Sequence, residues 1–263
     1  MTLTRDRQDA PDAGFGTPGA SAVSPLGRQV ARTLFPARLL LRWLRDRAGL
    51  ASPRPKVFFI GFNKTGTKSL QTLFLDNGYL PAHSSTYMAR RLGLPPFAKL
   101  MKDNREAGRP LLRGLGHYDV YMDMISLTAS EVIEANGWFR DLEAQNPGAY
   151  FVFNDRPVEK WVRSRLSHEG GPRGSFVKRY ASAMGIGEAE APDQWRDHYA
   201  RHKAEVLAHF AGKPRFMLFD IESGRPSDLT AFLAADYRLD PRMWAHQGSA
   251  QQRHRNLKAG LAP

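Results

Sequence analysis

The sequence predicts an α/β domain with three layers, in which helices cover both faces of a parallel sheet of about four or five strands. Two stretches carry this prediction, 57–74 and 151–164, because each contains a buried apolar strand, a polar turn and a helix in that order. A third apolar run, at 216–221, predicts a further buried strand. Strands that alternate with helices in this way favour parallel pairing.

A chain of 263 residues is long enough for one such domain with extensions. Residues 1–25 combine Ala, Gly, Pro, Ser and charges without an apolar period or a signal-peptide core, so we expect a disordered extension and a cytoplasmic protein. The α/β domain would span 53–240, and 241–263 would form a basic tail. The net charge of +12 indicates anionic partners, and the absence of cysteine excludes a disulfide framework and a thiolate metal site.

Residues 26–52 form a separate basic segment that combines an amphipathic helix with a linker. Arginines interrupt each apolar run, so the segment cannot span a bilayer. Pro36 restricts the predicted helix to about 37–47. Two interpretations stay open: the leucines pack on the domain while the arginines remain in water, or the helix lies on an anionic membrane surface.

The first strand–turn–helix unit has the features of a phosphate-binding loop. An apolar strand, 57–60, is followed by a turn between Gly61 and Gly66, and helical spacing begins at Lys68. Loop amides and a helix N-terminus attract anions, and Lys64 and Lys68 add full positive charges. The alternative is a basic turn whose glycines only permit tight packing.

The position of the lysine distinguishes this loop from the Walker loop, in which a lysine directly follows the second glycine. Here Thr67 stands at that position and Lys64 precedes the glycine. The order Lys64-Thr65-Gly66-Thr67 resembles the 5′-phosphosulfate loop of the P-loop sulfotransferases, usually written Lys-Ser/Thr-Gly-Thr-Thr. These enzymes use 3′-phosphoadenosine 5′-phosphosulfate (PAPS) as the sulfuryl donor.

The second unit carries the other motif of this family. Sulfotransferases place an arginine just after such a strand and a serine eight residues later, both on the 3′-phosphate of the donor, and Arg156 and Ser164 have this spacing. An arginine at a strand end offers a forked pair of donors, and a serine about two helical turns on can face the same side. Pairing of Arg156 with Glu159 is the alternative.

The resemblance covers roughly Val57–Phe232 and implies the P-loop sulfotransferase fold. It also implies transfer of a sulfuryl group from PAPS to a hydroxyl or amine, with 3′-phosphoadenosine 5′-phosphate (PAP) as product and no metal. Lys64 would stabilise developing charge. The residues implied for donor binding are Asn63, Lys64, Thr65, Gly66, Thr67, Lys68, Ser69, Arg156 and Ser164. Lys68 and Ser69 replace the Thr and Trp of many cytosolic members, so the aromatic residue that stacks on adenine is not identified.

Sulfuryl transfer also needs a group that takes the proton of the acceptor. Relatives use His, Glu or Asp, and some carry an acidic residue about sixty positions after the loop lysine. Asp123 lies fifty-nine positions after Lys64, in a predicted strand or strand end at 117–124, and is therefore the first candidate for the base. The further candidates for substrate contact are His83, which ends a predicted strand at 79–82, and His117, Asp119 and His168.

Other patterns predict single elements. They are a helix over 87–105 with a break at Pro95-Pro96, a helix start marked by Thr128 and Glu131, a helix over 193–210, and a cap at Ser227 for a helix over 228–233.

Two other functions stay open at this point. A small-molecule kinase would use Lys68 and Ser69 for phosphate and metal, with Asp155 or Asp220 on Mg²⁺. A non-catalytic protein of the same fold would bind polyanions or membranes. The expected acceptor is a small molecule, a glycan or a lipid, and no nucleic acid partner is expected. Peripheral membrane contact through 37–47 is a further expectation.

Overall fold

The computed structural model describes residues 25–50, 54–84, 95–168 and 175–244. Its strands, β1 to β7 in chain order, are Val57–Phe59, Pro81–His83, Val120–Met122, Ile125–Leu127, Val132–Glu134, Tyr150–Asp155 and Phe216–Asp220. Five of them form a parallel sheet in the order β2-β3-β1-β6-β7, and β4 and β5 form a separate antiparallel pair. The predicted α/β class and the parallel sheet are confirmed.

The helices, α1 to α9 in chain order, are Pro25–Thr33, Phe35–Arg47, Thr67–Asp76, Phe97–Glu106, Phe139–Gln145, Val158–Leu166, Phe176–Met184, Ala191–Phe210 and Pro226–Phe232. None of the helices within the described ranges combines the length and apolarity that crossing a membrane requires.

The two faces of the sheet are covered because side chains alternate along each strand. In β1, Val57 and Phe59 pack with Phe74 of α3 on one face. Phe58 points to the other face, where its ring stacks on Phe151 with centroids 5.2 Å apart. Helices on both sides of one sheet give the predicted three layers.

The strand order creates a crevice beside β1. From β1 the chain first builds β2 and β3 on one side of the sheet and later β6 and β7 on the other. Because all five strands are parallel, their carboxyl ends meet at one edge. In open α/β sheets, ligands bind outside this edge at the point where the order reverses.

The predicted helix start at Thr128 is wrong. The backbone N–H of Thr128 donates to the Glu131 carbonyl (3.0 Å), which closes the turn between β4 and β5. A threonine and a glutamate three positions apart fit a capping box and a hairpin turn equally well. The antiparallel pairing of Leu127 with Val132 shows that this segment forms a hairpin.

Smaller differences concern element boundaries. His83 is the last residue of β2 and pairs in register with Met122. Helix α9 begins at Pro226 with Arg225 as N-cap residue, so Ser227 lies inside its first turn. Only α4 represents the predicted helix over 87–105, since 85–94 lie outside the described residues. The predicted disordered extension up to residue 24 and the basic tail beyond 244 also lie outside them.

The basic N-terminal helix begins earlier than predicted, because Pro36 occupies its first turn, where proline is tolerated. Its orientation is the opposite of the first interpretation, in which the leucines pack on the domain and the arginines remain in water. Arg32 forms an ion pair with Asp76, and Arg42 forms one with Asp119, both at 2.6 Å. Most of the leucines of α1 and α2 face away from the domain, although Leu39 is buried.

Candidate active site

Polar residues follow the carboxyl end of every strand in the parallel sheet. The five are Lys64 in the loop after β1, His83 at the end of β2, Asp123 after β3, Arg156 after β6 and Glu222 after β7. Since the strands are parallel, these residues belong to one edge of the sheet. This edge is the candidate active site.

The loop after β1 has the backbone of a close-fitting turn. Lys64 adopts a left-handed conformation (φ 66°), which is strained for a residue with a side chain, and Gly66 adopts one (φ 75°) at the N-cap of α3. A Cβ atom at Gly61 would lie 2.4 Å from the Asn154 carbonyl oxygen, so only glycine fits there. The first amides of α3 follow directly after Gly66, and that of Ser69 donates to the Gly66 carbonyl (2.9 Å).

Two side chains predicted to bind the donor brace the loop. The buried Thr65 hydroxyl donates to the Phe62 carbonyl and accepts from Asn154 Nδ2 (2.5 Å). The Asn63 side-chain oxygen accepts from Arg165 Nε (2.9 Å). Both side-chain oxygens are therefore engaged within the protein, and the two residues hold the shape of the loop.

Arg165 is fully buried beneath the loop and forms an ion pair with Glu134. Its guanidinium lies 4.2 Å from the centre of the Trp161 ring. Burial raises the pKa of Glu134, but Arg165 and His198 (Nδ1 3.2 Å away) outweigh it and lower this pKa to about 2. The ionised pair thus fixes the position of Arg165, which donates to the side chain of Asn63.

A chain of three polar residues connects the loop to the neighbouring strands. His83 Nε2 lies 3.0 Å from the hydroxyl of Thr67, the first residue of α3. His83 Nδ1 lies 3.6 Å from Asp123 Oδ2. The structure therefore brings together the first candidate base, one candidate substrate contact and one predicted donor residue.

Asp123 has two features that are unusual for a surface carboxylate. Its backbone is left-handed (φ 56°), and its side chain is only 13% exposed. The Oδ1 atom is buried and has no hydrogen-bond partner among the described residues. A strained residue with an unused buried acceptor, next to an anion-binding loop, is typical of functional sites.

His168 completes this side of the site. Burial is the largest of the causes that lower its pKa to about 4, the charges of Lys64, Arg179 and Lys68 act in the same direction, and Asp123 acts in the opposite one. The imidazole is therefore neutral near pH 7 and lies within electrostatic range of the loop lysines and of Asp123.

Arg156 links the two sequence motifs directly. Its Nη1 donates to the Lys64 carbonyl (2.9 Å), and its Nε donates to Glu222 Oε1 (3.1 Å). Lys160 pairs with the other oxygen of Glu222. Ser164 lies one helical turn after Lys160, on the same side of α6. Glu159, the alternative partner considered for Arg156, pairs with Arg196.

The comparison with known families agrees with this geometry. Residues 56–169 match the family model described as a sulfotransferase domain. This segment is similar to a sulfotransferase domain. The match contains both motifs and confirms the resemblance to the P-loop sulfotransferases. No curated protein matches the chain.

Two candidates lie at the opposite edge of the parallel sheet, which corrects the expectation that they contact substrate. Asp119 precedes β3 and is buried, where it accepts from Arg42 (2.6 Å) and from the backbone N–H of Leu80 (3.0 Å). His117 lies near Asp46, and burial lowers its pKa to about 4. A cleft of about 380 Å³ at this edge, beside Lys56, contains no residue of either motif.

The sequence alone missed two residues that shape the candidate active site around Lys64 and Arg156. Asn154 is fully buried in β6 and holds both Gly61 and Thr65. Tyr199 of α8 accepts from the Arg156 backbone N–H (2.9 Å) and donates to Asp155 Oδ1 (2.7 Å). A polar residue inside a buried strand was a usable signal for Asn154, whereas Tyr199 lies on a distant helix.

No group of three or more His, Asp or Glu side chains that could hold a metal lies within the described residues.

Proposed function

We propose that the protein transfers a sulfuryl group from PAPS to a hydroxyl or amine acceptor. The observation that carries the proposal is the meeting of three parts at one edge of the sheet. These are the loop of Lys64, the bond of Arg156 to the carbonyl of that lysine, and the pair of His83 and Asp123. A sulfotransferase needs a donor cradle and a proton acceptor in contact with each other.

The donor is held by positive charge and by backbone amides. Lys64 and the first amides of α3 meet the 5′-phosphosulfate, with Thr67, Lys68 and Ser69 around them. Arg156 and Ser164 bind the 3′-phosphate. The ion pair of Arg156 with Glu222 shows that this guanidinium can hold an anionic group at the site. The side-chain oxygens of Asn63 and Thr65 shape the loop and do not enter these contacts.

The reaction is an in-line displacement without a covalent enzyme intermediate. The acceptor oxygen or nitrogen forms a bond to sulfur, and the bond between sulfur and the bridging oxygen of the 5′-phosphate breaks. The electron pair of that bond stays on the bridging oxygen, which leaves with PAP. Lys64 offsets the negative charge that develops there.

The proton of the acceptor goes to Asp123. Its Oδ1 is the acceptor atom with unused capacity, whereas His83 Nε2 is engaged with Thr67. His83 orients the carboxylate from the other side. Transfer of the proton to a positioned carboxylate is worth roughly 10²–10⁴-fold in rate.

The contacts of the two strand-end aspartates favour sulfuryl transfer over the kinase alternative. Asp155 is paired with Lys203 (2.5 Å) and accepts from Tyr199. Asp220 accepts from the backbone N–H of Glu222 (2.8 Å) and from Ser223 Oγ (2.8 Å). These contacts occupy the oxygens that a kinase of this kind would offer to Mg²⁺.

The test is a thermal-shift comparison of PAP with EDTA, ADP with Mg²⁺, and heparin. We expect PAP to raise the melting temperature without metal and the Arg156→Ala and Ser164→Ala variants to lose most of this shift. A shift with Mg-ADP alone would support the kinase, and a shift with heparin alone would support a polyanion-binding protein. A screen of alcohols, amines and sugars with labelled PAPS then identifies the acceptor class.

A further inference from the structure

The two N-terminal helices carry a continuous apolar stripe on their outer side. The exposed residues of the stripe are Leu26, Val30, Leu34, Leu40, Leu41 and Leu44. Helical hydrogen bonds continue across the junction, from Leu34 N to the Val30 carbonyl (2.9 Å) and from Arg38 N to the Leu34 carbonyl (3.0 Å). At about 100° per residue, the positions of these side chains fall within about a third of the circumference, so they share one face of the combined helix.

Ion pairs to the domain fix the direction in which this stripe points. The carboxylates of Asp76 and Asp119, which are only 4% and 3% exposed, bind Arg32 and Arg42 on the opposite face of the helices. Removing Arg32 would break the ion pair of the buried Asp76, and removing Arg42 would leave the buried Asp119 with the more distant Arg54 (4.0 Å), so either change would destabilise the protein. The leucines therefore cannot turn inward without breaking both pairs.

The charge around the stripe indicates what covers it. Residues 14–45 contain no acidic residue. Arg45 and Arg47 lie on opposite margins of the stripe and are both exposed. Trp43 lies near one margin, 38% exposed and 5.0 Å from the guanidinium of Arg47. An apolar face with arginine margins and a tryptophan suits the interface of an anionic bilayer.

A second copy of the chain is a poorer partner, because pairing of two such stripes would bring arginines of equal charge together.

We propose that α1 and α2 form a docking face that lays the protein on an anionic lipid bilayer. The arginines that hold these helices contact Asp76 at the end of α3 and Asp119 before β3, which belong to the amino edge of the sheet. The candidate active site lies at the carboxyl edge. In the docked protein this site faces away from the bilayer, and the acceptor is taken from solution.

The test uses the full chain with vesicles of phosphatidylcholine, alone or mixed with anionic phosphatidylglycerol. We expect binding to the mixed vesicles only. The variant Leu40→Ser/Leu41→Ser/Leu44→Ser should bind them about tenfold or more weakly. The matched control is Leu218→Ser, which changes an exposed leucine of β7 and should bind like the unchanged protein.

Two further measurements decide between a lipid surface and other partners. Arg45→Glu/Arg47→Glu should remove the preference for anionic vesicles. The thermal shift with PAP verifies that each variant is folded. Equal binding of the triple serine variant, or no binding of the unchanged protein, would overturn the proposal. So would a dimer in light scattering that the triple variant converts to a monomer, because the stripe would then join two copies.

Discussion

Replacing Glu222 with glutamine should tighten the binding of PAP, although it removes an ion pair from the protein. The carboxylate of Glu222 contacts Arg156 Nε at 3.1 Å and also pairs with Lys160. It therefore neutralises the cations that, in our proposal, receive the 3′-phosphate. A bound phosphate would have to share these cations with a negative charge. Glutamine keeps the size and the acceptor oxygen of the side chain but removes that charge.

The size of the effect follows from Coulomb's law. Two unit charges about 4 Å apart repel by about 4 kcal/mol at an effective dielectric constant of about 20. The side chains of Arg156 and Glu222 are 25% and 26% exposed, so solvent screening reduces the repulsion considerably. We expect a gain of about 1–2 kcal/mol, equivalent to roughly five- to thirtyfold tighter binding. Arg156→Ala should change affinity in the opposite direction, by about 1.5–3 kcal/mol.

Isothermal titration calorimetry of PAP with both variants measures these changes. Adenosine 5′-phosphosulfate, which lacks the 3′-phosphate, is the matched ligand control and should bind the glutamine variant and the unchanged protein alike. Glu159→Gln is the matched protein control, because Glu159 is the neighbour of Lys160 on α6 but pairs with Arg196 instead of Arg156. Weaker binding of PAP by Glu222→Gln, or an equal change for both ligands, would contradict the assignment of Arg156 to the 3′-phosphate.

Three further predictions concern other residues. Lys64→Ala should reduce turnover far more than PAP affinity, because its charge matters most when the bridging oxygen leaves; equal losses in kinetics and calorimetry would make it an anchor only. Asp123→Asn should bind PAP normally in calorimetry and lose roughly 10²–10⁴-fold in acceptor turnover. Retained turnover in Asp123→Asn together with inactive His83→Gln would transfer the role of base to the histidine. Burial of His117 lowers its pKa from 6.5 to about 4, so the unfolded chain binds its proton more readily. The free energy of unfolding should therefore fall as pH drops from about 6.5 to about 4. In urea titrations over this range, His117→Gln should lose about 3 kcal/mol less of this free energy than the unchanged protein. An unchanged pH dependence would mean that this histidine is protonated in the folded protein.

Most of the donor loop could be predicted from the sequence because its pattern is local. An apolar strand, two glycines and a lysine at fixed spacing determine a strand, a turn and a helix start, and the structure has them as β1, the loop of Lys64 and α3. Arg156 was equally accessible, since it directly follows an apolar run. These features depend on neighbours within a few positions along the chain.

The candidate bases show where local patterns fail. His117, Asp119 and Asp123 fall within seven residues, and the sequence predicted one strand or strand end for all of them. In the structure β3 contains only Val120–Met122, so residues before it and after it lie at opposite edges of the sheet. The partner of Asp123, His83, comes from β2, and strand pairing alone brings them together.

The N-terminal helix shows the same division between sequence and structure. Its amphipathic pattern and its arginines were evident from the sequence, and they predicted a helix with a positive charge. Which face packs on the domain depended on Asp76 and Asp119, which lie 44 and 77 positions from their arginines along the chain. A local pattern determines which side chains share a face, because that follows from the helical repeat. Only the tertiary structure decides which face is buried, because buried carboxylates from distant elements must find a charged partner.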